Sequence, residues 1–518
     1  MDLVRSFRWT AERYPHRRAV GGRHPMTYAQ WDDRTDRLAG ALTRLGVRPG
    51  DHVALLLAGG EPLASLHLAV QKTGAISVPL STRFSADDVA YCLHDCSPAL
   101  LITDSTTDHT VAGLPELPAR AHSGAALDTP DRVTPLARLL DSPAPKHQPA
   151  EGDTSVMLYT SGTTGRPKGV PRRHSAEHAA AVAHLIQTQH RPGEVALGVM
   201  PMFHTMGMRA LLASILAAGT WVPQEKFDAE ESLELITAED VSALYLVPTA
   251  YWSLVHTGRL AEAKSVRRLA YAGASMTPAL AERLDAELHP EVFVNHFGST
   301  EIYTFTIGPD VRRKPGCAGR AGVFSRVRLV SPAEGASPDD VVAPGEPGQV
   351  AVSLESPEAF SGYWHRPDAD AKSLRAGWYF TGDLATEDED GDLWVAGRVD
   401  DMINSGGENI YPEDIEDALV RCPAVAEIVV AGLPDDRWGS AVTAFVVPSA
   451  GYRPEETLAQ LESYAREHSG LPSLKRPKRY LAVAGIPKSA VGKILRRELT
   501  AGHYRRLAQL VPGKEERA

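Results

Sequence analysis

The stretch "LYTSGTTGRPKGV", Leu158–Val170, sets the hydroxyls of Thr160, Ser161, Thr163 and Thr164 beside Gly162, Gly165 and Gly169, with Arg166 and Lys168 following. The run that leads into it, "SVMLYT", is short, apolar and rich in strand-forming residues, so the polar stretch is a loop that follows a buried strand. Glycines let backbone N–H groups turn toward one centre, hydroxyls add donors, and the Arg and Lys add positive charge. Together they make a cradle for phosphate. The spacing of a Walker A loop, GxxxxGK[ST], is absent because Lys168 is followed by Gly169. A flexible Gly/Ser linker would need neither the strand nor the cations.

On either side of this loop, apolar positions alternate between two periods. Residues 28–47 repeat at helical spacing before Gly46 and Gly50 stop the run, and "DHVALLLAGG" follows as a strand. Helix "EPLASLHLAVQKTGA", strand "ISVPL", helix "SADDVAYCLHDC" and strand "ALLITD" continue the pattern, which resumes after the loop with "VALGVM", "ALYLVP", "RRLAYAG" and "VFVNHFG". Strands alternating with helices imply parallel sheets with helices on their faces, an α/β class. Residues 106–153 show little periodicity and read as a surface connection. After about residue 320 the chain turns to short strands and turns, a β-rich stretch. Near Asp400, "EDIEDALVRCP", "VAEIVVAGL" and "SAVTAFVVP" open a smaller α+β unit. Residues 1–399 and 400–518 are thus expected as a large and a small domain.

The bulk numbers bound the partners. The chain has 518 residues, 43% hydrophobic and 23% charged, with a formal charge of −11 spread along its length. That is a folded, multidomain composition, and it lacks the basic face that nucleic-acid binding requires. No apolar run is long enough for a membrane span and no signal-like segment opens the chain, so the cytoplasm is the expected address. Cys92 and Cys96 flank His94 in "YCLHDCS", yet no second pair of ligands follows at zinc spacing, so two half-buried helix cysteines are expected.

Further motifs follow in order: "PMFHTMG", "NHFGSTE", "YFTGD", "GRVDDMINSGGENIYPEDIE" and "PKSAVGKILRREL". With the opening loop they resemble the adenylate-forming superfamily, which holds acyl-CoA and aryl-CoA synthetases, nonribosomal adenylation domains and firefly-type luciferases. The resemblance runs across nearly the whole chain. It implies ATP, Mg²⁺ and a carboxylic acid as ligands, with Thr160, Ser161, Gly162, Thr163, Thr164 and Lys168 on the phosphates. It also puts Gly273, Ala274, Ser275, His296, Phe297, Gly298, Ser299 and Val395 around the nucleotide. The residue chemistry agrees at several points. Gly298 permits close backbone approach, Thr300 offers a hydroxyl to a phosphoryl oxygen, and Glu301 is a hard oxygen ligand for Mg²⁺. Asp383, ending a strand, can accept both ribose hydroxyls.

Arg398 resembles the family's ribose and phosphate contact, Asp400 its hinge, and Lys493 its catalytic lysine. On this reading the acid carboxylate attacks the α-phosphorus of ATP and pyrophosphate leaves, with Thr300, Glu301, Lys493 and His204 as the catalytic set.

For the acceptor, the nearest resemblance is to chlorobenzoate and benzoate CoA ligases. It implies Arg83, Trp438, Arg476 and Lys478 on coenzyme A, with Gly406 and Gly407 leaving room for the pantetheine thiol. An acyl pocket is expected from His204, Ala272, Gly273, Phe297, Gly298 and Tyr303, for an aromatic or bulky cyclic acid. The Ala-rich helix "EHAAAVAHLIQTQH" is equally a roomy pocket wall or a closely packed helix. A module serving a separate carrier protein or partner acyltransferase, a luciferase-like oxygenase and a non-enzymatic nucleotide-binding protein stand as alternatives. A second copy of the chain is a further candidate partner.

Overall fold

The computed structural model describes residues 1–123, 133–140, 152–160, 166–405, 408–435, 438–473, 475–488 and 494–512. The chain divides into two compact units: Met1–Val327, Val352–Tyr379 and Asp388–Trp394 form one, and Arg328–Ala351, Phe380–Glu387 and Val395–Ala518 the other.

In the first unit, local signals and burial agree. Helix Tyr28–Arg44 starts at Thr27, whose side chain accepts from the Gln30 N–H while Gln30 reaches back to the Thr27 N–H. It buries Trp31, Leu38, Ala39 and Leu42, each large apolar side chain contributing about 1.5–3 kcal/mol of transfer free energy. Among the described residues one sheet has seven strands, in the order Val133–Pro135, Ala119–His122, Leu100–Thr103, His52–Leu56, Ile76–Pro79, Thr154–Thr160, Lys168–Arg173. Its neighbours pair in parallel except the last two, which form an antiparallel hairpin.

Two of those strands correct the sequence expectation. Ala119–His122 and Val133–Pro135 lie within residues 106–153, expected as a surface connection of little periodicity, and extend the sheet edge. The strand "ARAH" alternates over four residues only, with alanine as its apolar member, too short and weak a pattern to stand out, and the pairing partner Leu100–Thr103 reveals it.

Among the described residues a second sheet has nine strands and is parallel through its centre, in the order Thr220–Pro223, Val195–Gly198, Ala243–Leu246, Arg268–Ala272, Val292–Phe297. Strands buried on both faces read as unbroken apolar runs, as "ALYL" and "RLAYA" do. Cys92 and Cys96 are both fully buried, at 0% and 2% exposure, a correction to the half-buried expectation. Burial pushes the Cys96 thiol up to about 12, and His94 is exposed.

In the second unit, Val425–Asp435 and Gly439–Pro448 form a long antiparallel ladder, Arg479–Val483 joins it in parallel, and Arg506–Leu510 closes the sheet antiparallel. Helices Pro412–Leu419 and Pro454–Glu467 supply Ile415, Leu419, Leu458 and Leu461 to its core. Among the described residues no helix is long and apolar enough to cross a membrane.

Candidate active site

The opening stretch closes a hairpin. Thr160 pairs with Lys168 as the last rung of the antiparallel ladder, while Ser161, Gly162, Thr163 and Thr164 lie outside the described residues. Lys168 Nζ sits 4.4 Å from the centroid of the Tyr363 ring. The Tyr363 hydroxyl donates to Glu301 Oε1 at 2.6 Å, and burial followed by the Glu301 charge raises its pKa, so it keeps the proton it donates. The Trp364 N–H donates to the Gly169 carbonyl at 2.9 Å. A Cβ on Gly169 would lie 3.1 Å from Trp364 Cβ and 3.0 Å from Met157 Sδ. The backbone approach at this rung therefore depends on glycine.

Glu301 itself is carried on a tight turn. A Cβ on Gly298 would collide with the Tyr303 carbonyl. The Ser299 N–H donates to the Ile302 carbonyl at 2.9 Å and the Glu301 N–H to Ser299 Oγ at 3.2 Å. Beneath the turn lies Arg172, 0% exposed. Its Nη1 donates to the carbonyls of Thr300 at 3.1 Å, Glu301 at 3.0 Å and Glu358 at 2.8 Å, and its Nε to Glu177 Oε1 at 2.5 Å. The guanidinium stacks 3.9 Å from the Tyr303 ring centroid, and the Tyr303 hydroxyl donates to Glu177 Oε2 at 3.1 Å. Thr300 and Glu301 are thus held by their main chain, independently of what their side chains contact.

The other expected nucleotide and acid residues of this unit gather at the carboxyl ends of the central parallel strands, where open α/β sheets bind ligands. Ala272 pairs with His296, Gly273 follows at φ +88°, and Gly273, Ala274, Ser275 and Gly298 are exposed. His204 caps helix Thr205–Leu216, its Nδ1 accepting the Met206 N–H at 3.4 Å. Phe297 meets Phe305 edge-on at 5.2 Å. Tyr303, expected in the acyl pocket, has its hydroxyl engaged by Glu177 and packs as core.

In the second unit two expected residues 15 apart meet: Arg398 Nη1 donates to Asp383 Oδ1 at 2.5 Å, and the Asp383 N–H donates to Thr381 Oγ1 at 2.9 Å. Val395 is half-buried on strand Leu393–Arg398 and Asp400 is exposed in the turn that follows. Lys493, Gly406 and Gly407 lie outside the described residues.

A model of the AMP-binding enzyme family matches residues 7–364, and one of the AMP-binding enzyme C-terminal domain matches residues 414–493. The chain belongs to the AMP-binding enzyme family. Its relatives include a feruloyl-CoA synthase of Amycolatopsis sp, 36% identical over 495 residues, 94% of this chain and 96% of that one. A 4-chlorobenzoate–CoA ligase of Arthrobacter sp is 33% identical over 507 residues, 95% of this chain and 93% of that one. Among solved structures, o-succinylbenzoate CoA synthetase of Bacillus subtilis, in complex with its acyl-adenylate intermediate, superposes with TM-score 0.82 at 26% identity, over 96% of this chain and 98% of that one.

This AMP-binding enzyme is accordingly an acyl/aryl-CoA synthetase of the adenylate-forming superfamily, an AMP-forming acid–thiol ligase with ATP and CoA as substrates. Of the CoA residues expected in it, Lys478 Nζ lies 5.5 Å from the Trp438 ring centroid and donates to the Ser473 carbonyl at 2.7 Å. Arg476 Nε donates to the Leu471 carbonyl at 2.9 Å. Arg83, in the first unit, is exposed.

Three residues of the Glu301 neighbourhood escape sequence reading. Arg172 and Tyr363 touch Glu301 from 129 and 62 residues away, and Glu177 meets Arg172 and, from 126 residues away, Tyr303. The local sign was a pair of arginines, Arg172 and Arg173, after the proline in "PRRH". The Ala-rich helix is closely packed: Ala180 and Ala181 join the core with Met208, Leu211 and Leu212. His184, on the same helix, meets Tyr245 and His296 instead.

Proposed function

We propose that this synthetase activates an aromatic or bulky cyclic acid, with Glu301 holding Mg²⁺ and Lys168 and Thr160 facing the departing pyrophosphate. The supporting observation is the chain Lys168, Tyr363, Glu301, seated on the turn that Arg172 holds. One carboxylate oxygen of Glu301 is oriented by a protonated hydroxyl. That makes a hard, buried oxygen donor, which suits Mg²⁺. The ion would be held by Glu301 together with phosphate oxygens, and it would supply charge neutralisation there.

In the first half-reaction the acid's carboxylate oxygen bonds to the α-phosphorus, the bond from that phosphorus to the bridging β-oxygen breaks, and pyrophosphate leaves. Lys168 offsets the leaving charge and Lys493 the charge on the attacking pair. In the second, the CoA thiol adds to the acyl carbonyl, loses its proton, and AMP departs with the carbonyl–oxygen bond broken. Trp438, Arg476, Lys478 and Arg83 serve that step. Asp383 and Arg398 hold the ribose, and Asp400 is the hinge about which the C-terminal segment exchanges faces between halves.

The experiment is pyrophosphate exchange across a panel of carboxylic acids, followed by thioester mass with CoA. Exchange with no acid overturns the activation reading. Exchange without thioester favours transfer to a separate carrier protein. Lys493→Ala should abolish exchange and spare thioester formation from supplied acyl-adenylate; equal loss of both breaks the alternation.

A further inference from the structure

The helix that carries "YCLHDC" lies against the phosphate hairpin. Helix Ala86–Cys96 starts at Ser85, which exchanges hydrogen bonds with Asp88 in a reciprocal cap. Residues four apart share a helix face, so Cys92 lines up with Cys96 and Tyr91 with Asp95. The two cysteines pack into one core with Met157 and Tyr159 of strand Thr154–Thr160. Val156 and Leu158, which alternate with them, join the other core, as the two-residue period of a strand requires. Tyr159 therefore points at the helix.

Four contacts then close into a ring. The Tyr159 hydroxyl donates to Asp95 Oδ2 at 2.6 Å, the short length usual for a hydroxyl on a carboxylate. Burial, followed by the nearby Cys96 thiol, raises the Tyr159 pKa, so the phenol keeps the proton it donates. The Asp95 carbonyl accepts from the Trp364 indole N–H at 3.1 Å, and the Trp364 main-chain N–H donates to the Gly169 carbonyl at 2.9 Å. Gly169 pairs with Tyr159 across the hairpin. One turn earlier on the helix, the Tyr91 ring centroid lies 5.0 Å from the Arg166 guanidinium.

The position of this ring gives it a consequence. Among the described residues Lys168–Arg173 is the last strand of its sheet, so no further strand steadies its outer side. The rung beside Tyr159 and Gly169 is Thr160 with Lys168, the pair read above as facing the departing pyrophosphate. Asp95 reaches both strands at that point: its side chain takes the inner one through Tyr159, and its carbonyl takes the outer one through Trp364.

We propose that Asp95 is a positioning residue for the β- and γ-phosphates of ATP: through Tyr159 and Trp364 it fixes the rung from which Thr160 and Lys168 meet them. The proposal rests on the reading of this hairpin as the pyrophosphate holder. A residue that acts there alone matters for ATP and not for AMP, which lacks those two phosphates. A general packing defect would weaken both.

Calorimetric dissociation constants for MgATP and for AMP, in the wild type and in Asp95→Asn, Asp95→Ala and Tyr159→Phe, test this without the acid being known. Asp95→Ala and Tyr159→Phe should each weaken MgATP about tenfold and leave AMP unchanged. Asp95→Asn keeps a side-chain oxygen for the Tyr159 hydroxyl and should retain most of the wild-type affinity for MgATP. The double variant Asp95→Ala/Tyr159→Phe should bind MgATP no more weakly than the worse single variant, because both remove the same contact. Unchanged MgATP binding in both single variants overturns the proposal, and so does equal weakening of MgATP and AMP. A wild type that binds MgATP no more tightly than AMP would instead overturn the reading of the hairpin on which the proposal rests. Tyr159→Phe keeps the ring in the core and decides the matter if Asp95→Ala does not fold.

Discussion

Two arginines, Arg172 buried in the first unit and Arg496 half-buried in the second, solve opposite problems. Arg172 faces three main-chain carbonyls and a single carboxylate, Glu177. Arg496 faces three carboxylates: Asp401 Oδ2 at 3.2 Å, Glu413 Oε1 at 3.0 Å and Glu416 at 2.8 and 2.9 Å. Carbonyls do not titrate, so the Arg172 clamp holds the Glu301 turn alike at any ordinary pH. Around Arg496 negative charge is in excess, and burial pushes the Glu413 carboxyl up to about 7 despite the arginine beside it. The first arrangement fixes a geometry, whereas the second makes local stability depend on protons.

The comparison breaks most visibly if Arg172 is removed. Arg172→Ala leaves Glu177, 0% exposed, as an uncompensated buried charge, and a loss of about 3–5 kcal/mol is expected in denaturant unfolding. Pyrophosphate exchange should vanish with it. A variant of unchanged stability would show that the clamp is dispensable.

Tyr363→Phe acts one layer out. It removes the hydroxyl that orients Glu301, a charge-assisted hydrogen bond of about 1.5–3 kcal/mol. A ten- to hundredfold fall in exchange rate is expected, with half-saturation by Mg²⁺ moved to higher concentration. An unaltered Mg²⁺ profile would remove Glu301 from the metal.

The first unit is not wholly indifferent to protons, because it buries neutral histidines. His184 and His296 have pKa values held well below 6.5, and His190 is lowered to about 4, in each case chiefly by burial. The unfolded chain binds protons at these sites below pH 6.5 while the folded one does not. Stability should therefore be intact above 6.5 and fall as pH drops toward 4, by up to about 1.4 kcal/mol per pH unit for each histidine. Melting temperatures measured from pH 7.5 to 4.5 test this, and His190→Gln should lessen the slope.

The smallest effect is expected at Glu413, and it has the opposite sign. Its folded-state carboxyl holds a proton that the unfolded chain releases near 4.5, so local stability falls as pH rises from about 4.5 to 7. Glu413→Gln should flatten that decline, modestly, because Glu416 at the same guanidinium takes over part of the titration. Hydrogen exchange of helix Pro412–Leu419 is the readout; an unchanged pH dependence there would dissolve the contrast between the two arginines.

Much of this architecture is written locally. The strands His52–Leu56, Ala243–Leu246 and Val292–Phe297 and the helix Tyr28–Arg44 stand where apolar periodicity puts them, since burial of one face or both is a property of the run itself. Strand Ala119–His122 was illegible because a partner, not its own pattern, makes it a strand. The same distinction divides the candidate site. Glu301, Asp383, Arg398, Lys168 and Thr160 were readable because each sits in a short motif with its turn. Arg172, Tyr363 and His184 were not, because a cation in "PRRH", a tyrosine in "SGYWH" and a histidine in an alanine run carry no local mark of what they will meet.

The sequence by itself determined the alternation of strands and helices, the phosphate-type loop and the order of motifs that make this chain an adenylate-forming ligase, since each is settled within a few residues. Only the tertiary structure decided that Arg172 lies under the Glu301 turn, that Tyr363 orients Glu301, and that His184, Tyr245 and His296 converge. Those contacts join residues tens to more than a hundred positions apart. Their energies come from desolvation, which exists only once the chain has closed around them.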